Sequence, residues 1–358
     1  MAFQFNFSID TMEAIGNGQL QQEMIQLGKQ ENPSEKKEEN SVEEYTVNKE
    51  PFSGITINVT DRSEAVALPK KHFCLKSVKE HNVPKDISKL LENKIVRTLP
   101  GKCHVNLYLV AVAPCEDAPG EDIASKGSSS QSDLITGVYE GGFKIWECTF
   151  DLIDYLSESE IQFAHKSVLD LGCGAGLLGI VALKGNAEEI HFQDYNSSVI
   201  EEITLPNVLV NCVHQDAADG EMAEIPLKQC SKGEFAQDLF SKCRFFSGEW
   251  SEFNKLHLNS KNSLAKYDVI LTSETIYNPD YYEALHDTLS NLLGINGCVY
   301  LASKAYYFGC GGGVLLFTKF IKEKNVFKCR TVKVLEKGLQ RFIIELVFKN
   351  SSANMPSN

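Results

Sequence analysis

The chain has 358 residues, 43% of them hydrophobic, and a formal net charge of -13. That length carries one large α/β domain plus extensions, and the acidic balance argues against gripping a nucleic-acid backbone by bulk charge. The 11 cysteines show no C-x-x-C pairing or zinc spacing, and the start Met1-Ala2-Phe3-Gln4-Phe5-Asn6-Phe7 lacks a basic head and a long apolar core; together these predict reduced thiols in cytosol or nucleus.

Residues 1–65, rich in Gln, Glu, Lys, Asn and Ser, read as a disordered acidic tail. Within it Phe3, Phe5 and Phe7 alternate, as a short strand docking on a folded body would, though a loose tail is the plainer reading. Residues 66–130 read as an N-terminal accessory lobe. There Ile87, Leu90, Leu91 and Ile95 fall at helical spacing and predict an amphipathic helix over Lys85 to Arg97, followed by a strand from His104 to Val112.

The main domain is expected over 131–350. Val138 to Ile145 reads as a hairpin around Gly141-Gly142, and Trp146 to Leu156 as a helix with Phe150, Ile153 and Leu156 inward. Strands follow at Ser167–Leu171, Glu189–Gln193, Cys243–Ser247, Tyr267–Thr272 and Cys298–Ser303, with helices between. The runs Phe327–Leu335 and Gln340–Phe348 read as a closing antiparallel hairpin. The fold class is α/β: a doubly wound, seven-stranded, Rossmann-like sheet of methyltransferase type, with that C-terminal hairpin and an N-terminal extension. The polar, aperiodic stretch 213–241 is expected to be a disordered insert. The apolar stretch from Gly297 to Phe317 contains Lys304 and several glycines, so it reads as buried strand and loop, not as a membrane span.

Asp170-Leu171-Gly172-Cys173-Gly174-Ala175-Gly176 joins the first of these strands to the helical run Leu177 to Lys184. Glycines let the backbone approach a nucleotide-like ligand without Cβ clashes. A dinucleotide fingerprint needs Gly-x-Gly-x-x-Gly, and its third glycine position here is Leu177. The spacing suits S-adenosylmethionine (SAM), which has no pyrophosphate. A dehydrogenase-type Rossmann domain is the runner-up, and a ligand-free glycine turn the plainest alternative. Asp194, about 20 residues past the glycines and ending the next strand, is placed to accept ribose hydroxyls or else to cap the helical segment that follows.

Ligands in such sheets lie at the carboxyl ends of the strands. That rule selects Gly248-Glu249-Trp250, where the indole can stack on adenine or merely fill the core. It selects Ser273-Glu274-Thr275-Ile276-Tyr277, an acid-x-x-Tyr segment facing methyl donor and acceptor; otherwise Glu274 caps the next helix and Tyr277 packs. It also selects the aromatic, glycine-rich run Lys304 to Gly313, read as a flexible acceptor-side loop, and Trp146-Glu147 at the start of the covering helix. Methyl transfer needs a nucleophile with a free lone pair; a histidine ring is largely neutral near pH 7, and a carboxylate on one ring N–H leaves the other nitrogen to attack. Glu274 is the candidate for that carboxylate.

The segments Ser132 to Gly142, Ile145 to Leu152, Phe192 to Asn196, Phe245 to Trp250 and Leu271 to Tyr282 closely resemble the protein-histidine methyltransferase family of the methyltransferase-like eighteen group. The resemblance runs from Lys79 to Phe348, with an echo at Phe3 to Ile9. It implies an enzyme using SAM, leaving S-adenosylhomocysteine, to methylate the ring nitrogen distal to the backbone in a histidine of a large-subunit ribosomal protein (the third in standard naming), free or within pre-ribosomes. It implies cofactor contacts at Ile145, Trp146, Glu147, Cys148, Thr149, Gly172, Gln193, Asp194, Tyr195, Gly248, Glu249, Trp250 and Ser273; the glycine-turn reading adds Asp170 and Gly174. Glu274 and Tyr277 are the catalytic candidates. The expectation is a monomer with no metal, no membrane contact and no sequence-specific nucleic acid, in cytoplasm, nucleus and nucleolus. The family's basic run is reduced here to Lys228, Lys232 and Lys242, widely spaced. Two other functions stay open: methylation of a lysine in a translation factor, and a non-enzymatic SAM-binding chaperone of a ribosomal protein.

Overall fold

The computed structural model describes residues 2–3, 76–84, 87–92, 94–99, 107–112, 134–213, 239–259 and 266–349. The expected tail and the expected insert lie outside the described residues, apart from Ala2–Phe3 and the ends of the insert. In chain order the first strands are β1 (Ala2–Phe3), β2 (Lys79–His81), β3 (Lys94–Leu99), β4 (Leu107–Val112) and β5 (Leu134–Ile135). Next come α1 (Glu147–Glu158), β6 (Ser167–Leu171), α2 (Leu177–Lys184), β7 (Glu189–Asp194), α3 (Leu205–Val213), β8 (Cys243–Ser247), α4 (Trp250–Asn259) and β9 (Tyr267–Ser273). The chain closes with α5 (Tyr282–Leu292), β10 (Leu293–Lys304), α6 (Val314–Lys324), β11 (Phe327–Leu335) and β12 (Arg341–Phe348).

The main sheet has the order β11-β12-β10-β9-β6-β7-β8-β2. Strands β10, β9, β6, β7 and β8 run parallel, and β12, β11 and β2 are antiparallel to their neighbours. The seven expected strands all form. The eighth, β2, comes from the segment read as an accessory lobe and pairs Lys79 with Ser247 and His81 with Phe245. Successive strand residues feed two cores: Val168, Phe245 and Leu271 pack on one face with α1, α2 and α3, while Leu169, Phe246 and Ile270 pack on the other with α4, α5 and α6. Burial on both faces is why these strands read as apolar runs rather than alternating ones. The switch point of the double winding lies between β6 and β9, where α/β sheets bind ligands.

Three local expectations are corrected. Among the described residues of Lys85 to Arg97 there is no α-helix: Ile87–Leu91 is a short 3-10 helix and Lys94–Leu99 is a strand. The β-branched Ile95, Val96 and Thr98 pair with β4 instead, a long-range contact that overrides helical spacing. This ribbon is fixed to α3 through Asn207 and Asn211, whose side-chain oxygens accept from the Val110 and Tyr108 amides. The hairpin near the domain start turns at Thr136–Val138, with Ile135 bridged to Tyr139, and not around Gly141-Gly142. Strand β10 begins at Leu293, five residues before the expected start at Cys298, because Leu293 already pairs with Tyr267. At the N-terminus, Ala2–Phe3 pairs antiparallel with Leu134–Ile135.

Candidate active site

The glycine turn holds Gly172, Gly174 and Gly176 at φ of 67°, 48° and 75°, a left-handed run open to glycine at little cost. A Cβ on Gly172 would stand 2.5 Å from the Thr275 methyl carbon, and one on Gly174 would stand 3.2 Å from the Gly142 carbonyl oxygen. The turn is thus a bare backbone cradle beneath two neighbouring segments, which fits the close approach of an adenosyl ligand.

Asp170 and Asp194 anchor the cradle differently. Asp170 is buried below the turn, where one oxygen accepts from the Gly179 amide at 2.8 Å in the first turns of α2. Burial pushes its carboxyl up to about 8. One oxygen of Asp170 thus supports the start of α2, and the other is buried with no hydrogen-bond partner. Asp194 accepts from the Gly174 amide at 3.0 Å and the Asn196 amide at 2.9 Å. Burial raises its carboxyl to about 6 against the pull of those bonds. It ties the glycine turn to the end of β7 and retains lone pairs for further donors.

Gln193 braces the next strand ends. Its amide donates to the Gly248 carbonyl at 2.8 Å and accepts from the Trp250 indole at 3.0 Å. Gly248, at φ 131°, lies under the approaching chain: a Cβ there would come within 2.8 Å of the Ser77 oxygen and Val78 Cα. The Glu249 amide donates to the Lys76 carbonyl, and burial raises the Glu249 carboxyl. Tyr195 donates to the Gly137 carbonyl while the Lys76 ammonium lies over its ring. On the opposite side Trp146 caps α1 and donates to the Gly141 carbonyl, and the Thr149 and Ser273 hydroxyls share a 2.8 Å hydrogen bond. Ile145 packs on the core. Cys148 is fully buried, and burial keeps its thiol protonated, well above the usual range. Glu147 is exposed and lies 3.8 Å from Arg341. These positions ring the switch point, with Asp170 below it and Glu147 at its outer edge.

Beside the ring lies a small cleft, partly open to solvent, lined by Leu134, Glu140, Trp146, Glu274, Tyr277, Lys304 and Tyr307. Glu274 sits just past β9 at φ 58°, an uncommon conformation for a residue with a Cβ, held by its amide bond to the Ala302 carbonyl. One oxygen faces Lys304 at 3.6 Å and the Cys148 amide at 3.4 Å; the other accepts from Tyr307. The Lys304 ammonium also stands 5.3 Å over the Trp146 ring. Tyr277 and Tyr281 donate to the two oxygens of Glu140. Burial and the Glu140 carboxylate push the Tyr277 phenol well above its ordinary range, so it acts as a donor.

The sequence singles out Glu274 and Tyr277, which line the cleft, but not Glu140, Tyr307 or the pairing of Lys304 with Glu274. The available signal was a lysine closing the apolar strand Val299–Ser303 and an acid beside Gly141-Gly142. Two of the glycines after Tyr307 serve close packing: a Cβ on Gly312 would come within 2.4 Å of the Ile276 and Tyr277 backbone, and one on Gly313 within 2.4 Å of the Ala305 carbonyl oxygen.

Two family models match parts of the chain: "Ribosomal protein L11 methyltransferase (PrmA)" over residues 151–231 and "Lysine methyltransferase" over residues 248–307. Longer likenesses are to "Histidine protein methyltransferase 1 homolog" of Bos taurus, 48% identical over 98% of this chain and 99% of that protein, and of Mus musculus, 48% identical over 98% and 100%. The protein of the same name from Rattus norvegicus is 55% identical over 82% of this chain and 80% of its own length. The chain belongs to the histidine protein methyltransferase 1 family and is a SAM-dependent protein methyltransferase.

Proposed function

We propose that the chain methylates a histidine of a large-subunit ribosomal protein, free or within a pre-ribosome, at the ring nitrogen distal to the backbone. The observation that carries the reading is identity along nearly the whole chain to relatives named for histidine methylation. The cleft supports it chemically. Glu274 is matched by Lys304, so the lining of Glu140, Glu274 and Lys304 has one surplus negative charge. A neutral imidazole can enter and leave transiently cationic. A lysine acceptor would be held by the same surplus as an unreactive ammonium.

In this proposal SAM, when bound, supplies a methyl group on a positively charged sulfur. Ile145 to Thr149, Gly172, Gly174, Gln193 to Tyr195, Gly248 to Trp250 and Ser273 hold it across the strand ends, with Asp194 accepting ribose hydroxyls and Asp170 supporting the turn. Glu274 and Tyr277 face the acceptor. Glu274 also fixes the first turn of α1 through the Cys148 amide. Much of the acceleration is alignment and exclusion of water in this half-closed cleft.

The test is the purified chain with isotopically labelled SAM and a ribosomal protein extract, followed by amino-acid analysis of the labelled band. Label in methylhistidine supports the proposal. Label in methyl-lysine favours the translation-factor reading, and no label with confirmed S-adenosylhomocysteine binding favours the chaperone reading. An Asp194→Ala variant with unaltered S-adenosylhomocysteine affinity would remove the ribose assignment.

A further inference from the structure

Resting on the histidine reading above, we infer that Glu140, held by Tyr277 and Tyr281, receives the ring N–H of the acceptor histidine and selects which nitrogen is methylated. The cleft offers two carboxylates, and their surroundings differ. Glu274 is buried and meets an ammonium that is itself buried, together with the Tyr307 hydroxyl and the Cys148 amide. Its charge is balanced within the wall. Glu140 is half-buried and open to the cleft. Its direct donors are neutral: the Gly137 amide at 2.6 Å, the Tyr281 hydroxyl at 3.2 Å and the Tyr277 hydroxyl. Lys76 adds only a coulombic attraction. The oxygen bonded to Tyr277 keeps one lone-pair direction for a further donor. Three donors fix the carboxylate's orientation, which is what a tautomer-selecting group needs.

The ring nitrogen without a proton gives its lone pair to the methyl carbon, and the carbon–sulfur bonding pair returns to sulfur. The ring, now cationic, still bears a proton on its other nitrogen. Glu140 stabilises that charge, takes the proton and passes it to solvent, leaving neutral methylhistidine. Because the N–H must face Glu140, one nitrogen is presented to the donor and the other is withheld.

The test compares the unsubstituted chain with Glu140→Gln, Glu140→Met and Glu274→Gln, using labelled SAM and the ribosomal protein extract. Three quantities are read: initial labelling rate at saturating SAM, S-adenosylhomocysteine affinity by calorimetry, and the ratio of the two ring isomers after hydrolysis. The expected result is a rate lower by about 100-fold in Glu140→Gln, the low end for a lost acid–base group. Affinity should stay within about threefold, Glu140→Met should yield both isomers, and Glu274→Gln a single isomer. Rates near the unsubstituted value, or one unchanged isomer in both Glu140 variants, overturn the inference. If both variants lose S-adenosylhomocysteine binding, Glu140→Asp decides: affinity with a single isomer and partial rate supports it, and affinity with mixed isomers overturns it. Absence of histidine label with the unsubstituted chain instead defeats the underlying reading.

Discussion

Lys304→Met tests the electrostatics of the cleft most directly. The Lys304 and Glu274 side chains are 5% and 6% exposed and 3.6 Å apart. Removing one member of a buried pair costs about 3–5 kcal/mol, because the other charge is left uncompensated. Here Glu274 keeps the Tyr307 hydroxyl and the Cys148 amide, which places the cost near the low end, at about 3 kcal/mol. That is roughly a hundredfold in the folding equilibrium. Urea unfolding should show the midpoint falling by about 1 M or more at unchanged slope. The double variant Lys304→Met, Glu274→Gln should recover at least half the loss, since no buried charge remains. A single-variant loss below about 1 kcal/mol, or no recovery in the double, would refute the reasoning by showing that solvent already screens the pair.

Gly179→Ala should lower stability by about 1–2 kcal/mol in thermal unfolding, although alanine favours helix, because its Cβ would lie 2.3 Å from the buried Phe192 ring; a stabilised variant contradicts this. For Asp170 the folded carboxyl titrates at about 8 and the unfolded one near its ordinary value of 3.8. Between those limits the folded state holds the extra proton, so stability is full below the window and falls as pH rises through it. Asp170→Asn should flatten that fall in a pH series of urea midpoints, and an unchanged slope would exclude Asp170 as its source. Gly312→Ala should press on the Tyr277 backbone, 2.4 Å from the new Cβ, and misplace the acceptor segment by about 1 Å. That costs about 100-fold in rate with S-adenosylhomocysteine affinity retained; an unaltered rate counts against alignment by this contact.

Strands and helices set by local signals were legible. Ser167–Leu171, Cys243–Ser247 and Phe327–Leu335 are apolar or alternating runs bounded by polar or turn residues, and Leu177–Lys184 starts where the glycines stop. Elements set by distant partners were not. Lys94–Leu99 is a strand only because Leu107–Val112 lies beside it, and Lys79–His81 joins the main sheet only because β8 has a free edge. The site divides the same way. Glu274 and Tyr277 follow a strand end and can be found by rule. Glu140 gains its place from Tyr277 and Tyr281, more than 130 residues later, a distance no local motif spans. Asp170 holds more than the motif says: one oxygen of its carboxyl accepts from the Gly179 amide, and the other is buried with no hydrogen-bond partner.

The glycine turn and the cleft wall are keyed to one another through backbone contacts. Gly172 must lack a Cβ because Thr275 crosses it, and Gly312 because Ile276 and Tyr277 cross it. Glu274 immediately precedes both crossings in the chain, at a positive φ. Its amide is fixed to β10 and its carboxylate to the first turn of α1. Three strand ends and one helix start therefore cannot shift independently. A reaction that gains chiefly from alignment needs this kind of coupling, since an error of about 1 Å in placing the ring nitrogen costs as much as losing a catalytic group. Gly172, first read as room for a cofactor, thus does a second job: with Gly312 it sets how closely the segment after β9 packs between the glycine turn and the loop after β10.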